Sequence, residues 1–418
     1  MDNKVNPIHP LRAQLAVAAS ITSVMIMLAI VLPYFGVSIE EGRMNAYGQI
    51  TPPSQLQQQQ QQSGGGGGSI IINGAGATFP FPLIDTWRVE YQKINPNVNV
   101  NYQSIGSGGG IKQFSEKTVD FGASDAPLTQ QETQALPSTA VHIPETIGSV
   151  VAAYNVAGVD KGLKLTGPLL ADIFSGKITK WDDLKIKELN PQLSLPSNDI
   201  VVVHRSDGSG TTFVWTSYLS RMSPEWNQTI GAGKSVQWTV GLGAPGNEGV
   251  SSTIKNTPNS IGYIELTYAL TTDIDYASLK NKAGNFVEPT PESTQAAAQA
   301  AITNSNSTSN NSTTSSYAAI TTLPNGDQPW TNVSLLDAPG SNSYPIASFS
   351  YLLLYQELST NINSMEKAKA LAEFVNWAIT DGQQFASPLH YVPLPASIVQ
   401  HNQQTLKSLT FNGQPLLQ

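Results

Sequence analysis

The sequence predicts an α/β protein with parallel strands and two domains joined at a hinge, and three observations lead there. Units of strand, small-residue loop and helix follow one another from Ile70 to Asp125. A fourth unit runs from the β-branched Ile200-Val201-Val202-Val203 through His204-Arg205-Ser206-Asp207-Gly208-Ser209-Gly210-Thr211-Thr212 into a helical pattern. Two apolar strand regions, Ile147 to Tyr154 and Tyr344 to Tyr355, read as crossovers that return the last segment to the first domain and so build a clamp.

Composition sets the outer limits. The 418 residues carry a formal net charge of -8, with only 22 Lys plus Arg spread through the chain. A nucleic-acid role is unlikely on that balance, since no sustained basic patch is present. With no cysteine there is no thiolate site, five scattered histidines with no paired spacing weaken zinc chemistry further, and no metal or cofactor is expected. A chain of this length has room for two or three ordinary domains.

Residues 1–35 hold an N-terminal tip and an almost wholly apolar run from Leu11 to Phe35, with Arg12 as its only charge. That run is long enough to cross a bilayer as a helix. An uncleaved single-pass anchor, with the body on the extracytoplasmic face of the cell membrane, is the first reading; a cleaved export signal is the second. Residues 36–69 contain Gln57 to Gln62 and Gly64 to Gly68 and cannot bury a core, so they predict a disordered tether. The folded body then divides into residues 70–149 plus 345–418, and residues 150–344.

In the first domain, Ile70-Ile71-Ile72 is a short strand, and Asn73-Gly74-Ala75-Gly76-Ala77-Thr78-Phe79-Pro80 leads to a helix from about Pro82 to Tyr91. Val98 to Tyr102 alternates as a strand before Ser104-Ile105-Gly106-Ser107-Gly108-Gly109-Gly110 and a helix over about Ile111 to Ser115. Val119-Asp120-Phe121-Gly122-Ala123-Ser124-Asp125 follows. These glycine loops lack the third glycine of a dinucleotide fingerprint and the lysine of a P-loop. Thr78 and Ser107 could each equally be a helix N-cap.

In the second domain, Leu165 to Gly176 predicts a short helix closed by glycine, and Trp181-Asp182-Asp183 begins another. Gly246-Asn247-Glu248-Gly249 resembles an exposed turn. Ser260 to Glu265 is a strand, and Leu266 to Leu270 is helical. Residues 287–316, with Pro289-Thr290-Pro291 and an Asn/Ser/Thr run, predict a solvent-facing insertion. Asn227, Asn306, Asn310, Asn311 and Asn332 fit the glycosylation pattern. Met365 to Thr380 is an amphipathic helix burying Ala368, Leu371, Ala372, Val375 and Ile379.

Four loops, 74–79, 104–110, 122–126 and 205–211, offer backbone N–H groups and hydroxyls to an anion, and Arg205 offers full positive charge. Asp207 reads as the group that holds Arg205. Asp125 is the selective member: an ionised carboxylate accepts a hydrogen bond and cannot donate one, so it favours an anion that still carries a proton. Phosphate does near neutral pH and sulfate does not. Two other readings remain open for these residues, that Asp125 instead pairs with Arg205 or caps a helix, and that the His204–Thr212 stretch is an Asp-Gly turn with a Ser or Thr cap.

The stretches Asn73 to Pro80, Ile105 to Gly109, Val119 to Pro127, Ile173 to Asp183, Arg205 to Thr211 and Gly262 to Glu265 together resemble the phosphate-binding proteins of ATP-driven (ABC) phosphate importers. The resemblance covers about residues 70 to 400. It implies a two-domain periplasmic-binding-protein clamp of type II, inorganic phosphate as ligand, permease and ATPase subunits as partners, and a monomer without catalytic residues. By it, Thr78, Phe79 through its backbone, Ser107, Arg205, Ser209, Gly210 and Thr211 would donate to phosphate, Asp125 would accept its proton, and Asp207 would hold Arg205. An enzyme acting on phosphate esters, or a binding module for another oxyanion such as arsenate or sulfate, is the alternative. The suggestion of an archaeal host comes from the anchor and tether, which depart from the Gram-negative family pattern.

Overall fold

Strand β1 (Ile70–Gly76) buries Ile72 and Ala75 in a sheet and ends on the first glycine-rich turn. The computed structural model describes residues 69–303 and 323–417. The expected helix of residues 11–35, the tether as far as residue 68, and residues 304–316 with Asn306, Asn310 and Asn311 lie outside the described residues. Among the described residues no helix is long and apolar enough to cross a membrane. Asn227 and Asn332 are both exposed.

The first arm of the sheet is parallel. β1 lies between β2 (Val98–Ser104) and β3 (Phe121–Ser124), with helix α1 (Phe81–Ile94) connecting β1 to β2 and α2 (Ser107–Ser115) connecting β2 to β3. Pro82 at the first turn of α1 fits a position that lacks an intrahelical N–H partner. The other arm repeats the arrangement with β5 (Val201–Arg205) between β7 (Ser260–Glu265) and the three-residue β6 (Leu242–Ala244), both parallel to it. Helix α3 (Gly210–Met222) leaves β5, α4 (Gly246–Asn256) leaves β6, and α5 (Leu266–Thr272) leaves β7.

The middle of the sheet is antiparallel, which the repeated units did not predict. β4 (Ala140–Asn155) and β8 (Ala347–Tyr355) run opposite to each other, and the order is β2-β1-β3-β8-β4-β7-β5-β6. β4 pairs with β8 over Ala140 to Ser149 and with β7 over Val150 to Asn155. It therefore belongs to both arms. Antiparallel pairing needs no crossover helix, so the strand, loop and helix units give no signal for it.

The core follows the apolar pattern. Trp87, Trp181, Trp215, Trp226 and Trp330 are fully buried, as are Ala368, Leu371, Ala372, Val375 and Ile379 on helix α7 (Met365–Ile379). Burying a large apolar side chain contributes about 1.5–3 kcal/mol each, so these positions anchor the helices firmly against the sheet.

The 287–316 insertion is not wholly solvent-facing. Pro291–Thr303 forms helix α6, which packs on β4 and β8 with Ala297, Ala298 and Ala301 buried. Thr290 and Ser293 exchange hydrogen bonds at its start, N to Oγ at 2.9 Å and N to Oγ1 at 3.1 Å. The alanines have high helix propensity and make a small apolar face, which the polar neighbours masked. Ala298→Leu should cost about 1–3 kcal/mol by overpacking, while Gln295→Leu on the exposed face should stay within about 0.5 kcal/mol. Urea denaturation of the two variants checks this; equal stabilities would mean the helix does not pack.

Candidate functional site

Five loops meet at the carboxyl ends of the parallel strands. Arg205 is the last residue of β5 and is buried. Its Nε donates to Asp207 Oδ1 at 2.7 Å and its Nη2 to Asp207 Oδ2 at 2.5 Å, a two-pronged pairing that fixes the guanidinium plane. Burial works to raise the Asp207 pKa, but the bonds and charge of Arg205 and the N–H of Gly246 at 3.1 Å outweigh it and hold the carboxyl below its ordinary value. The guanidinium of Arg205 is thereby aimed by Asp207. The expectation for Asp207 matches this geometry, and the pairing of Arg205 with Asp125 does not occur.

The remaining prong of Arg205, Nη1, reaches Thr78 Oγ1 at 3.2 Å and Thr211 Oγ1 at 3.4 Å. Asn247 adds its Nδ2 to the same two oxygens at 2.8 and 3.2 Å, and its backbone N to Thr78 Oγ1 at 3.1 Å. Ser107 Oγ accepts from Gly210 N at 3.0 Å and from Asp125 N at 3.3 Å. These three hydroxyl oxygens are occupied by N–H donors. A hydroxyl so occupied has its own hydrogen left to give, so Thr78, Ser107 and Thr211 are set as donors.

Asp125 is the counterweight. It is 1% exposed, its Oδ1 accepts from Ser350 Oγ at 2.9 Å, and its Oδ2 is buried without a hydrogen-bond partner. Burial pushes its pKa up to about 7, against the lowering by the Ser350 bond and the Arg205 charge. Gly210 presses against it: a Cβ there would lie 2.5 Å from both Asp125 Oδ2 and Ser107 Oγ. Only glycine fits at that helix start. Gly106, at φ +81, plays the same part on the other side, where a Cβ would lie 2.2 Å from Asp207 Oδ2.

Ser209 and Phe79 behave partly as local structure. Ser209 Oγ accepts from Thr212 N at 3.0 Å and caps α3, and its N–H donates to Lys234 O at 2.8 Å. The cap reading of this stretch is therefore true of Ser209. Phe79 buries its ring in the core while its carbonyl accepts from Tyr391 Oη at 2.6 Å. Helix α2 begins at Ser107 rather than near Ile111, so Ser107 lies in its first turn, with Gly106 at the cap.

Three participants were not expected. Asn247 belongs to the first turn of α4 and is fully buried, so the exposed turn predicted at Gly246–Gly249 is wrong. Its Oδ1 also accepts from Glu265 N at 3.0 Å, tying α4 to β7. Ser350 on β8 holds Asp125, and Tyr268 Oη donates to Thr78 O at 2.6 Å. The two sheet arms also touch directly, Gly108 N donating to Gly208 O at 2.8 Å. Among the described residues no group of three His, Asp or Glu side chains is placed to hold a metal.

Comparison with known proteins agrees with this architecture. The PBP superfamily domain matches residues 51–381. The chain is similar to the phosphate-binding protein PstS of Xylella fastidiosa (strain 9a5c), 43% identical over 335 residues, covering 78% of this chain and 82% of that protein. It is similar also to PstS of Methanocaldococcus jannaschii, 40% identical over 345 residues, covering 78% of this chain and 83% of that protein. A crystal structure of a phosphate binding protein from Stenotrophomonas maltophilia shares the fold, with a TM-score of 0.59, 20% identity, and coverage of 81% of this chain and 93% of that one.

Asn247→Ala removes the acceptor for a buried N–H and donors to two hydroxyls. It should destabilise the protein by about 1–3 kcal/mol, whereas Asn227→Ala at the exposed position should change stability by less than about 0.5 kcal/mol. Denaturant midpoints decide; no loss in Asn247→Ala would restore the exposed-turn reading.

Proposed function

The chain belongs to the PstS family of phosphate-binding proteins, and from that membership we propose how its site selects phosphate. The protein is a solute-binding protein that captures phosphate for an ABC importer; it is a binding protein and not an enzyme, as its family is. The observation that carries the proposed mechanism is the contrast within one buried site: three hydroxyls and an arginine set to donate, and one carboxylate oxygen, Asp125 Oδ2, set to accept.

In this reading a phosphate oxygen takes bonds from Thr78 and the N–H of Phe79, others from Ser107, Gly210, Thr211, Ser209 and Arg205, and the protonated oxygen donates to Asp125. Asp207 acts through Arg205. Near neutral pH inorganic phosphate is a mixture of monoanion and dianion, and each still carries a proton. Sulfate brings no proton and would set an oxygen against the carboxylate, a like-charge contact costing several kcal/mol. At about 1.4 kcal/mol per factor of ten, a cost of about 4 kcal/mol is about a thousandfold. Arsenate, which can carry the proton, should compete far better than sulfate.

The lobes of the clamp are residues 70–149 plus 345–418 and residues 150–344. The exchange of partners along β4 between Ser149 and Val150 supports a hinge there. Closure of the lobes is the state that a membrane permease would read, with transport energy from its ATPase subunits. We place the receptor outside the cytoplasm as a monomer, joined to the membrane through residues 11–35 unless that segment is cleaved.

Calorimetric titration of the full chain with phosphate, arsenate and sulfate tests the mechanism. Asp125→Asn should shrink the preference for phosphate over sulfate by about a hundredfold or more, and an unchanged preference would remove Asp125 from selection. The pH dependence has a definite sign. Because the Asp125 pKa is raised to about 7, the carboxylate is the acceptor above that pH. Below it the protonated carboxyl can donate to a bare oxygen, so sulfate should bind better as pH falls from 8 to 6 in the wild type and show no such gain in Asp125→Asn.

A further inference from the structure

Behind Asp125 lies a second buried carboxyl that the binding scheme does not use. Glu145 is fully buried on β4. The register of β4 against β8 pairs Pro144 with Tyr351 and Thr146 with Ser350, so Glu145 is the extra residue of a β-bulge. Bulges re-aim side chains, and this one directs Glu145 toward the site. The bulge is pinned on both sides: Asn402 Nδ2 donates to Pro144 O at 2.7 Å, and Gln383 Nε2 donates to Glu145 O at 3.0 Å.

Ser350 Oγ stands between the two acids, 2.9 Å from Asp125 Oδ1 and 2.9 Å from Glu145 Oε1. A serine hydroxyl has one hydrogen to give. It can satisfy one carboxylate, and the other contact is a hydrogen bond only if that carboxyl is itself protonated and donates to Ser350. The Arg205 charge lowers the pKa of Asp125, whereas the Asp125 charge raises that of Glu145. The proton therefore belongs on Glu145.

We propose that Glu145 is a positioning and specificity-determining residue, a neutral acid that donates to Ser350 so that Ser350 donates to Asp125 and leaves Asp125 Oδ2 as the ionised acceptor. This rests on the phosphate reading of the site. The chain runs in one direction, from Glu145 to Ser350 to Asp125 to the phosphate proton. Its orientation depends on Glu145 keeping its hydrogen. Burial, chiefly, pushes the Glu145 pKa up to about 8, so the proton is held at neutral pH and lost on the alkaline side.

The surrounding groups do not supply another charge of that kind near neutrality. Tyr102 on β2, Tyr351 on β8, Tyr268 on α5 and Tyr391 are all raised by burial, and His142 on β4 itself is pushed down to about 4. His401, on the helix that carries Asn402, is likewise lowered by burial. Glu265 on β7 is raised well above the usual carboxylate range by burial. Asp125 itself, at about 7, titrates below the alkaline range in which Glu145 ionises, so Glu265 is the neighbour whose titration has to be separated from that of Glu145.

Phosphate affinity of the full chain between pH 6.5 and 9.5 is the test, for wild type, Glu145→Gln and Glu265→Gln. Glutamine keeps a donor toward Ser350 but cannot ionise. An anion bound one carboxyl away raises the Glu145 pKa, so the protonated form binds more tightly and affinity falls as Glu145 ionises. If that rise is about one unit, wild type and Glu265→Gln lose about tenfold above pH 8 relative to Glu145→Gln, whose profile stays flat there. The infrared difference spectrum at pH 7, wild type minus Glu145→Gln, should show the neutral carboxylic acid band of Glu145. Parallel pH profiles, or an alkaline loss removed by Glu265→Gln instead, would overturn the assignment while leaving the phosphate reading intact. Failure of the wild type to bind phosphate would overturn both.

Discussion

One unpartnered oxygen on a buried carboxylate governs this protein. Leaving a buried polar atom without a hydrogen bond costs stability, and leaving a charged one costs more. Asp125 Oδ2 is such an atom, and every neighbour is arranged so that no protein group satisfies it. Gly210 has no side chain to intrude, and the Nε and Nη2 of Arg205 are committed to Asp207. In the proposed mechanism that oxygen is the acceptor for an anion that arrives with a hydrogen.

The fold makes this affordable by construction. Parallel strands deliver loop after loop to one edge of each arm, where helix starts supply N–H groups and the macrodipole favours an anion. Asp125 comes from β3, Arg205 from β5 and Asn247 from α4, so the site is distributed over both arms. β4 and β8 tie those arms together, and the same two strands carry Glu145 and Ser350. One of the strands that join the arms, β8, thus also holds Asp125 through Ser350.

Much of the site was legible in the sequence because its signals are local. A β-branched run, a Gly/Ser/Thr turn and an apolar helix pattern mark Thr78, Ser107 and Arg205 to Thr211 without any knowledge of the fold. Asn247 was hidden because its strand is only three residues long and partly exposed, so Pro245-Gly246 looked like the middle of a turn rather than a helix start. Ser350 and Glu145 were hidden for a different reason. Their meeting depends on a register shift between strands some two hundred residues apart, which no local pattern records. Helix α6 was misread because alanine contributes little to an apolar signal yet packs closely against a sheet.

A crystal structure of the full chain grown with phosphate addresses the governing claim most directly. The account requires one ion in the cleft with an oxygen within about 2.5–2.7 Å of Asp125 Oδ2, the length of a hydrogen bond to an ionised oxygen, and with Thr78, Ser107 and Arg205 on its other oxygens. An ion bound elsewhere, or an Asp125 turned so that both its oxygens bond to protein groups while phosphate occupies the cleft, would contradict it.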